Sequence, residues 1–576
     1  MRGVVRMAGW LTALLLAAVL FGAAGTGAYA VEPDAPDRLI DQEFVTLIAV
    51  RDGLDGEAGK KLAVSGQELK GLSDYYKAGD AKLIWIGERG LNSKAAKSLK
   101  TVFARADMFG LDPHDYSLAD GEALAAQAGL SPASLADAEL RISLAALSYA
   151  SHAQAGRVIP TSIDSEFLDL KPKRPPAPEV LARLAKSGDD LADYLESFHP
   201  SHPQFKALKQ KLAEARTAVT SGSIAVRIPD GPSLGPDTYH PQVAIVRERL
   251  SVPVPQDAPR GNAAEYYDAA LAEAVRVFQE TRGLRPDGVV GRNTREALNE
   301  GTIAVSVNTI LSNMERWRWA PRELGERHVF INIPEFKFFI VDKGTVIHEE
   351  RIVTGSPKHP TPIFSDEIET VVFNPYWHVP QSIIANEIIP AARNNPDYLY
   401  RNNLEVFWLG NRQVEPYMVD WQFVNPSKLS LRQTPGPRNA LGQVKLLFPN
   451  KHSVYMHDTP SKQLFDKPVR AYSHGCMRVR NPLEFAKLLL ADQGWSEASM
   501  RDTLEFANDQ HVRLEKKVPV HISYFTAWVD DDGKLKGFRD IYGHDASVRI
   551  ALKLDSRKVL ASSEENFDVG EGGLRN

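Results

Sequence analysis

The sequence predicts a multidomain α+β chain: a helical scaffold, a small three-helix module, and a mainly β domain interrupted by a long lid insertion. Three observations carry this prediction. At 576 residues the chain has room for three or four domains of roughly 150 residues each. Apolar residues recur at helical spacing before about residue 300 and alternate along strands after it. Turn-rich breaks, such as Gly231 to Pro236, separate the two kinds of pattern.

Arg2 and Arg6 precede an apolar run from Trp10 to about Ala24, and Ala28-Tyr29-Ala30 is a small-x-small cleavage pattern. Residues 1–30 therefore read as a signal peptide, and the chain is expected to start at Val31 in the periplasm. An uncleaved anchor is the alternative reading of the same run. The composition, 43% hydrophobic and 24% charged, is that of an ordinary globular protein. A formal charge of -5 without long runs of like charge gives no reason to expect a nucleic-acid partner. Oligomeric state is not legible. Cys476 is the single cysteine, so no intrachain disulfide can form. Exported compartments oxidise exposed thiols, so a lone cysteine there has to be buried or used.

Residues 31–230 form the expected helical scaffold. It opens on the Pro/Asp linker "VEPDAPDRL", and Leu99, Val102, Phe103 and Met108 make a helical stripe ended by Gly110 and Pro113. Ala/Leu-rich helix is expected from about 121 to 150, then a Pro-rich loop at "KPKRPPAPEV". No chemistry is identifiable in this region. Residues 235–302 form the three-helix module. Val243, Val246 and Leu250 share one helical face, and Leu271, Ala274, Val275 and Phe278 share another. Asn293 and Glu296 pattern as a capping box on the third helix.

The β domain spans 310–545, with strand character from Asn313. Val329, Ile331 and Ile333 share a face, as do Phe336, Phe338 and Ile340, and Lys343-Gly344 makes a hairpin turn. The Pro-rich stretches "SPKHPTPIF" and "FNPYWHVPQSI" read as loops suited to substrate contacts. Residues 382–431, with Trp408, Tyr417 and Trp421, are too long an insertion for a plain loop and read as a lid, or else as a surface excursion. Residues 546–576 are expected to be a polar C-terminal segment ending in a flexible tail.

The chemistry gathers around "SVYMHDTP" and "YSHGCMRVRNP". Strand alternation puts Val454 and Met456 opposite Tyr455 and His457, and Met477 and Val479 opposite Cys476, Arg478 and Arg480. Asn481, Pro482 and Glu484 then pattern as the N-cap, N1 and N3 of a helix. A thiol of free pKa about 8.5 needs help to ionise, and an imidazole can take its proton. His474 is two residues away, but Gly475 can redirect it, so His457 on a neighbouring strand is the better base. The His474-Gly475-Cys476 backbone can donate to an oxyanion, and Tyr455 can add its hydroxyl. Asp458, by its side chain or its carbonyl, can orient His457. Two other readings compete. A zinc site using His457, His474, Cys476 and His452 or Asp458 lacks any CxxC or HExxH support. A buried structural cysteine fits poorly with such polar neighbours.

The stretch "AVRVFQETRGLRPDGVVGRNTREAL" resembles the small peptidoglycan-binding domain of cell-wall enzymes, over about 238–300. "VYMHDTP" followed by "SHGCMRV" resembles the L,D-transpeptidase catalytic domain. With "ERHVFINIPEFKFFIVDKG", "RQTPGPRNALGQVKLLFPN" and "YFTAWVDDDGKLKGFRDIYG", the chain is similar, over about 40–545, to the large periplasmic members with a helical scaffold. The resemblance implies Cys476 as nucleophile, His457 as base and Gly475 to Cys476 as oxyanion hole, with His474 beside them. Substrate contacts are expected from Tyr455, Ser473, Arg478, Trp377 and Asp458, with a structural aromatic as the alternative reading of Trp377. Many relatives have Asn where Arg478 stands, which leaves open whether Arg478 binds a carboxylate or packs. The implied reaction is acyl transfer from tetrapeptide stems of peptidoglycan with loss of D-Ala, giving 3-3 cross-links. Peptidoglycan is the implied partner, with wall-synthesis proteins beside it, and carbapenems are the implied inhibitors. No cofactor or metal is required. Water or a protein lysine as acceptor, or a non-catalytic wall-binding scaffold, remain open alternatives.

Overall fold

The computed structural model describes residues 42–554 except 57–65, 88–89, 119–130, 221–227, 230, 260, 283, 300–305, 396, 411 and 507. The expected signal peptide, the linker after it and the last 22 residues (555–576) lie outside the described residues. Among the described residues no helix is long and apolar enough to cross a membrane.

The N-terminal region is helical, and its longest element is Pro132–Ala155. That helix is buried nearly all round, and its one buried carboxylate, Glu139, is fully used. The Tyr76 hydroxyl and the Ile84 N–H donate to Oε1 at 2.7 Å, and the Trp85 and Ile86 N–H groups donate to Oε2 at 2.9 and 3.0 Å. Four donors on one carboxylate offset the cost of burying it and pin a non-helical segment to the helix. Leu99, Val102 and Phe103 are buried as the stripe predicts, but the helix ends at Ala104. A 3-10 turn follows, Ala106–Phe109, which turns Met108 outward and Phe109 inward.

The three-helix module comprises Pro241–Arg249, Ala269–Thr281 and Arg292–Asn299 around Val243, Val246, Leu271, Val275 and Leu298. The expected cap at Asn293 is corrected. The helix starts two residues earlier, at Arg292, the Gly291 carbonyl accepts from the Arg295 N–H, and Glu296 pairs with Arg292 at 3.2 Å.

Strand character begins later than the sequence pattern suggests. Val307–Trp319 is a helix, capped where the Thr309 N–H donates to Ser306 Oγ at 3.1 Å. Its polar residues are buried because distant partners satisfy them. Arg316 Nη1 meets Asp545 Oδ1 at 2.5 Å, Thr526 Oγ1 donates to Asp545 Oδ2 at 2.7 Å, and Asn313 Nδ2 donates to Thr526 Oγ1 at 2.9 Å. Arg318, completely buried, donates to the Phe109 carbonyl at 2.6 Å. Ile310, Met314 and Trp317 join Phe109, Phe205 and Leu208 of the scaffold to Phe330, Phe525 and Ala527 of the β domain in one core.

The β domain is a nine-stranded mixed sheet that closes on itself. The long strand Thr345–Gly355 pairs with Lys337–Asp342 through most of its length and with Met477–Val479 and Ala471–Ser473 at its end. Lys343 and Gly344, at φ +50 and +78, make the two-residue hairpin turn. Ile333 and Phe336 are buried, but in a 3-10 turn between strands rather than on them. The insertion builds its own antiparallel sheet from Trp377–His378, Leu429–Gln433, Leu404–Trp408 and Arg412–Val414. Ile384, Ile388, Leu399, Val406 and Leu431 form its separate core, so it is a subdomain with an interior and not a loop folded over the surface. The C-terminal segment opens on a helix, and the tail expected after it lies outside the described residues. Helix His544–Ala551 buries Val548 and Leu552 against Trp319.

Asp545 ties that last helix to the central one. Asp545→Ala leaves Arg316 buried without a counter-charge, and the expected cost is about 3–5 kcal/mol. It reads as a lower urea midpoint, and Arg316→Met in the same chain recovers part of the loss.

Candidate active site

Three neighbouring strands assemble the site. Val444–Leu447 pairs antiparallel with Met456–His457, with Lys445 opposite His457 and Leu446 opposite Met456. Met456–His457 pairs parallel with Met477–Val479, with Met456 beside Met477 and His457 beside Arg478. Leu446, Met456, Met477 and Val479 enter the core, as the alternation predicts. The other face therefore carries Lys445, His457 and Arg478 in one row, with Tyr455 and Cys476 one repeat before it.

The loop leading to Cys476 is held from inside. Gly475 sits at φ +107, a region that favours glycine, and its carbonyl accepts from Thr361 Oγ1 at 2.8 Å. Ser473 is buried, donates to the Cys476 carbonyl at 2.5 Å, and accepts from the Gly475 N–H at 3.2 Å. Ser473 is thus spent on the turn and not offered to substrate. Gly475's N–H is likewise taken, which leaves the Cys476 N–H as the backbone donor of that pair. His474 turns outward. Its Nε2 lies 2.9 Å from Glu387 Oε1 on the insertion, and its ring stacks on His359 at 4.5 Å.

The Cys476 thiol is partly exposed. Its packed surroundings push its pKa up, while hydrogen bonds from the Tyr455 backbone and hydroxyl, and the charges of Lys445 and Arg478, pull it down. Tyr455 stands edge-on to His457 at 5.6 Å between ring centroids. Burial and the thiol's charge raise its own pKa far above the usual phenol range. His457 is lowered to about 3, first by burial and then by Arg478. Its Nδ1 is 2.5 Å from the Asp458 carbonyl oxygen, which makes Nδ1 the protonated nitrogen and leaves the Nε2 lone pair free.

Of the two ways Asp458 was expected to orient the base, the structure uses the carbonyl. The carboxylate accepts from Gln443 N, Thr459 N and Lys462 Nζ at 2.9, 2.7 and 2.6 Å, so it is a structural anchor and not a substrate contact. Trp377 packs on the core of the insertion. Arg480 lines a groove with Asp458 and Lys487. Asn481 occupies the N-cap of Pro482–Leu490, but its amide bonds Glu350, and Glu484 pairs with Lys487. The zinc reading loses its ligands to other partners, since His452 bonds Asp169 at 3.2 Å and His474 faces Glu387.

Three family models match the chain in order. Residues 70–212 match a scaffold domain, 240–298 a "Putative peptidoglycan binding domain", and 326–522, which hold Tyr455, His457 and Cys476, the L,D-transpeptidase catalytic domain. Residues 326–522, about a third of the chain, are thus similar to L,D-transpeptidase catalytic domains. A curated protein of Haemophilus influenzae named "Putative L,D-transpeptidase" is 31% identical over 224 residues, 39% of this chain and 45% of that one. The amidase CwlM of Mycobacterium tuberculosis is 45% identical over 51 residues, 9% of this chain and 13% of that one. The chain thus spans less than half the length of either relative. Solved structures with some likeness include the L,D-transpeptidases of Xylanimonas cellulosilytica and Mycobacterium smegmatis. The first is 16% identical with a TM-score of 0.15, over 51% of this chain and 99% of that one. The second is 14% identical with a TM-score of 0.17, over 34% and 58%.

Several residues of this site have no signal in the local motifs. Thr361 and Tyr542 brace the loop from far away: the Gly355 N–H donates to Thr361 Oγ1, and the Tyr542 hydroxyl donates to the Gly355 carbonyl. Lys445 enters from a third strand, its ammonium 3.9 Å from the centroid of the Tyr455 ring. Glu387 comes from the π-helical turn Ile384–Ile388, a geometry frequent at functional sites.

Two outcomes follow from these charges. Tyr455→Phe removes a donor to the sulfur, so alkylation of Cys476 by iodoacetamide at pH 7 slows several-fold. In the unmodified protein, alkylation rises with pH to a single inflection above that of a free thiol. Because His457 is neutral down to about 3, an inflection near pH 6.5 in that profile contradicts the description of the site.

Proposed function

We propose that the chain is a peptidoglycan L,D-transpeptidase, acting at the cell wall, that forms 3-3 cross-links by covalent catalysis through Cys476. The observation that carries this reading is a partly exposed thiol bonded by Tyr455, beside a neutral His457 whose Nδ1 is committed to the Asp458 carbonyl. That arrangement leaves Nε2 as the nitrogen able to accept the thiol proton.

In the first step the proton of Cys476 passes to His457 Nε2 as Sγ attacks the carbonyl of the third, L-centred residue of a tetrapeptide stem. The Cys476 N–H donates to the developing oxyanion. The carbon–nitrogen bond to D-Ala breaks, and the departing amine takes the proton back from His457. In the second step an acceptor amine attacks the thioester, loses its proton to His457, and the carbon–sulfur bond breaks. Cys476 is returned as the thiol.

The thiol need not be ionised in the resting state. Its raised pKa and the low pKa of His457 both favour the uncharged pair, so proton transfer accompanies attack and does not precede it. The match at 240–298 supports a wall-facing role for the three-helix module, and the shared core around Val307–Trp319 holds the scaffold and catalytic units together.

With purified tetrapeptide stems, the full chain is expected to release D-Ala and yield stem dimers visible by mass spectrometry. Cys476→Ala gives neither product. Release of D-Ala without dimers identifies water as the acceptor and overturns the cross-linking step.

A further inference from the structure

A stretch of the scaffold, residues 167–169, runs into the β domain and makes a parallel bridge there, Leu168 beside Ile363. The Ile363 N–H donates to the Phe167 carbonyl at 2.8 Å, and the Asp169 N–H donates to the Ile363 carbonyl at 3.0 Å. Leu168 is buried in the same core as Met456 and Met477. Backbone bonds and an apolar anchor therefore fix a stretch that belongs to no regular strand, and they put the Asp169 carboxylate in a defined place. From there the stretch reaches both halves of the site. On the Cys476 side, Thr361, two residues before Ile363, donates from Oγ1 to the Gly475 carbonyl at 2.8 Å. On the His457 side, Asp169 Oδ2 lies 2.8 Å from Lys451 Nζ and 3.2 Å from His452 Nε2. The Asp169 and His452 side chains are only 15% and 13% exposed, so solvent and salt screen this contact less than a surface ion pair.

We infer that Asp169 is a positioning residue, through which the scaffold sets the Cys476 loop and the strand of Tyr455 and His457 at a fixed separation. Its catalytic meaning rests on the acyl transfer proposed above, while its geometry can be read on the thiol alone. The turn that Asp169 grips transmits a displacement and does not absorb it. Asn450 Oδ1 accepts from the His452 and Val454 N–H groups at 3.0 and 3.2 Å, and Asn450 Nδ2 donates to the Val454 carbonyl at 2.8 Å. Tyr455 follows Val454 directly, and His457 comes two residues later. Met456–His457 and Met477–Val479 share few backbone bonds, so their ends gain from a brace outside the sheet. A shift of about 1 Å at Tyr455 takes its hydroxyl out of hydrogen-bond range of the sulfur. Asp169 bonds one half of the site through its backbone and the other through its carboxylate, and the scaffold is then part of the site's rigidity and not only a spacer.

The test follows iodoacetamide alkylation of Cys476 in the full chain, which needs no substrate. Asp169→Asn keeps the shape and removes the charge, and it is expected to slow alkylation at pH 7 by roughly 3- to 10-fold, with Asp169→Glu recovering part of the loss. Added to Tyr455→Phe, Asp169→Asn slows the thiol no further, because it acts through Tyr455. With tetrapeptide stems, kcat of Asp169→Asn per alkylatable thiol falls roughly 10-fold while KM stays within about two-fold. Lys451→Met, on the exposed side of the contact, gives a smaller slowing in the same direction and serves if Asp169→Asn does not fold. Arg322→Gln removes bonds to the Ser197 and Phe198 carbonyls at the same seam and leaves the alkylation rate unchanged. Unaltered alkylation in Asp169→Asn and Lys451→Met overturns the inference whether or not stems react. So does an equal loss in Arg322→Gln, because any loosening of the seam then suffices. If the unmodified chain alkylates but releases no D-Ala, the transfer reaction falls, and the alkylation series still decides the role of Asp169.

Discussion

The site depends on the register of two very short strands. Met456–His457 and Met477–Val479 run parallel, with only a few backbone bonds between them, yet their alignment decides which side chains meet. A slip of one residue carries Met456 and Met477 to the solvent face and His457 and Arg478 into the core. The apolar side prevents that slip: both methionines and Val479 are buried in the main core of the β domain. Packing on one face of the strands thus fixes the chemistry on the other.

Much of this face was legible because strand periodicity is a local property. Alternation in "SVYMHDTP" and "CMRVR" separates Tyr455, His457, Cys476 and Arg478 from their apolar neighbours without any knowledge of the fold. Lys445 was not legible, since in "VKLLF" it reads like any outward lysine of a strand, and only long-range pairing brings it beside His457. His474 is a different case, set aside as base because Gly475 can redirect it. Proximity in sequence made it a catalytic candidate, but Gly475, at φ +107, turns the chain so that the imidazole faces Glu387. Ser473 and Asp458 were read as substrate contacts, and both are consumed in holding loops, a role that depends on partners no motif specifies.

The helix Val307–Trp319 hid for a related reason. Ile310, Met314 and Trp317 do recur at helical spacing, but Asn313, Arg316 and Arg318 fall among them on buried positions. Polar residues inside a helix obscure the apolar pattern that sequence reading relies on. They are tolerated because Thr526, Asp545 and the Phe109 carbonyl, all remote in sequence, satisfy them. The region where local reasoning fails is the one that joins the scaffold to the catalytic sheet.

The uncharged state of Cys476 bears on its survival. Peroxides and disulfides react with thiolates far faster than with thiols, so a lone cysteine whose surroundings favour the protonated form ages slowly under oxidation. A strongly ionised nucleophile is poised but perishable. A thiol held protonated by its surroundings is largely spared that attack, which matters in a sequence with no second cysteine to resolve a sulfenic acid.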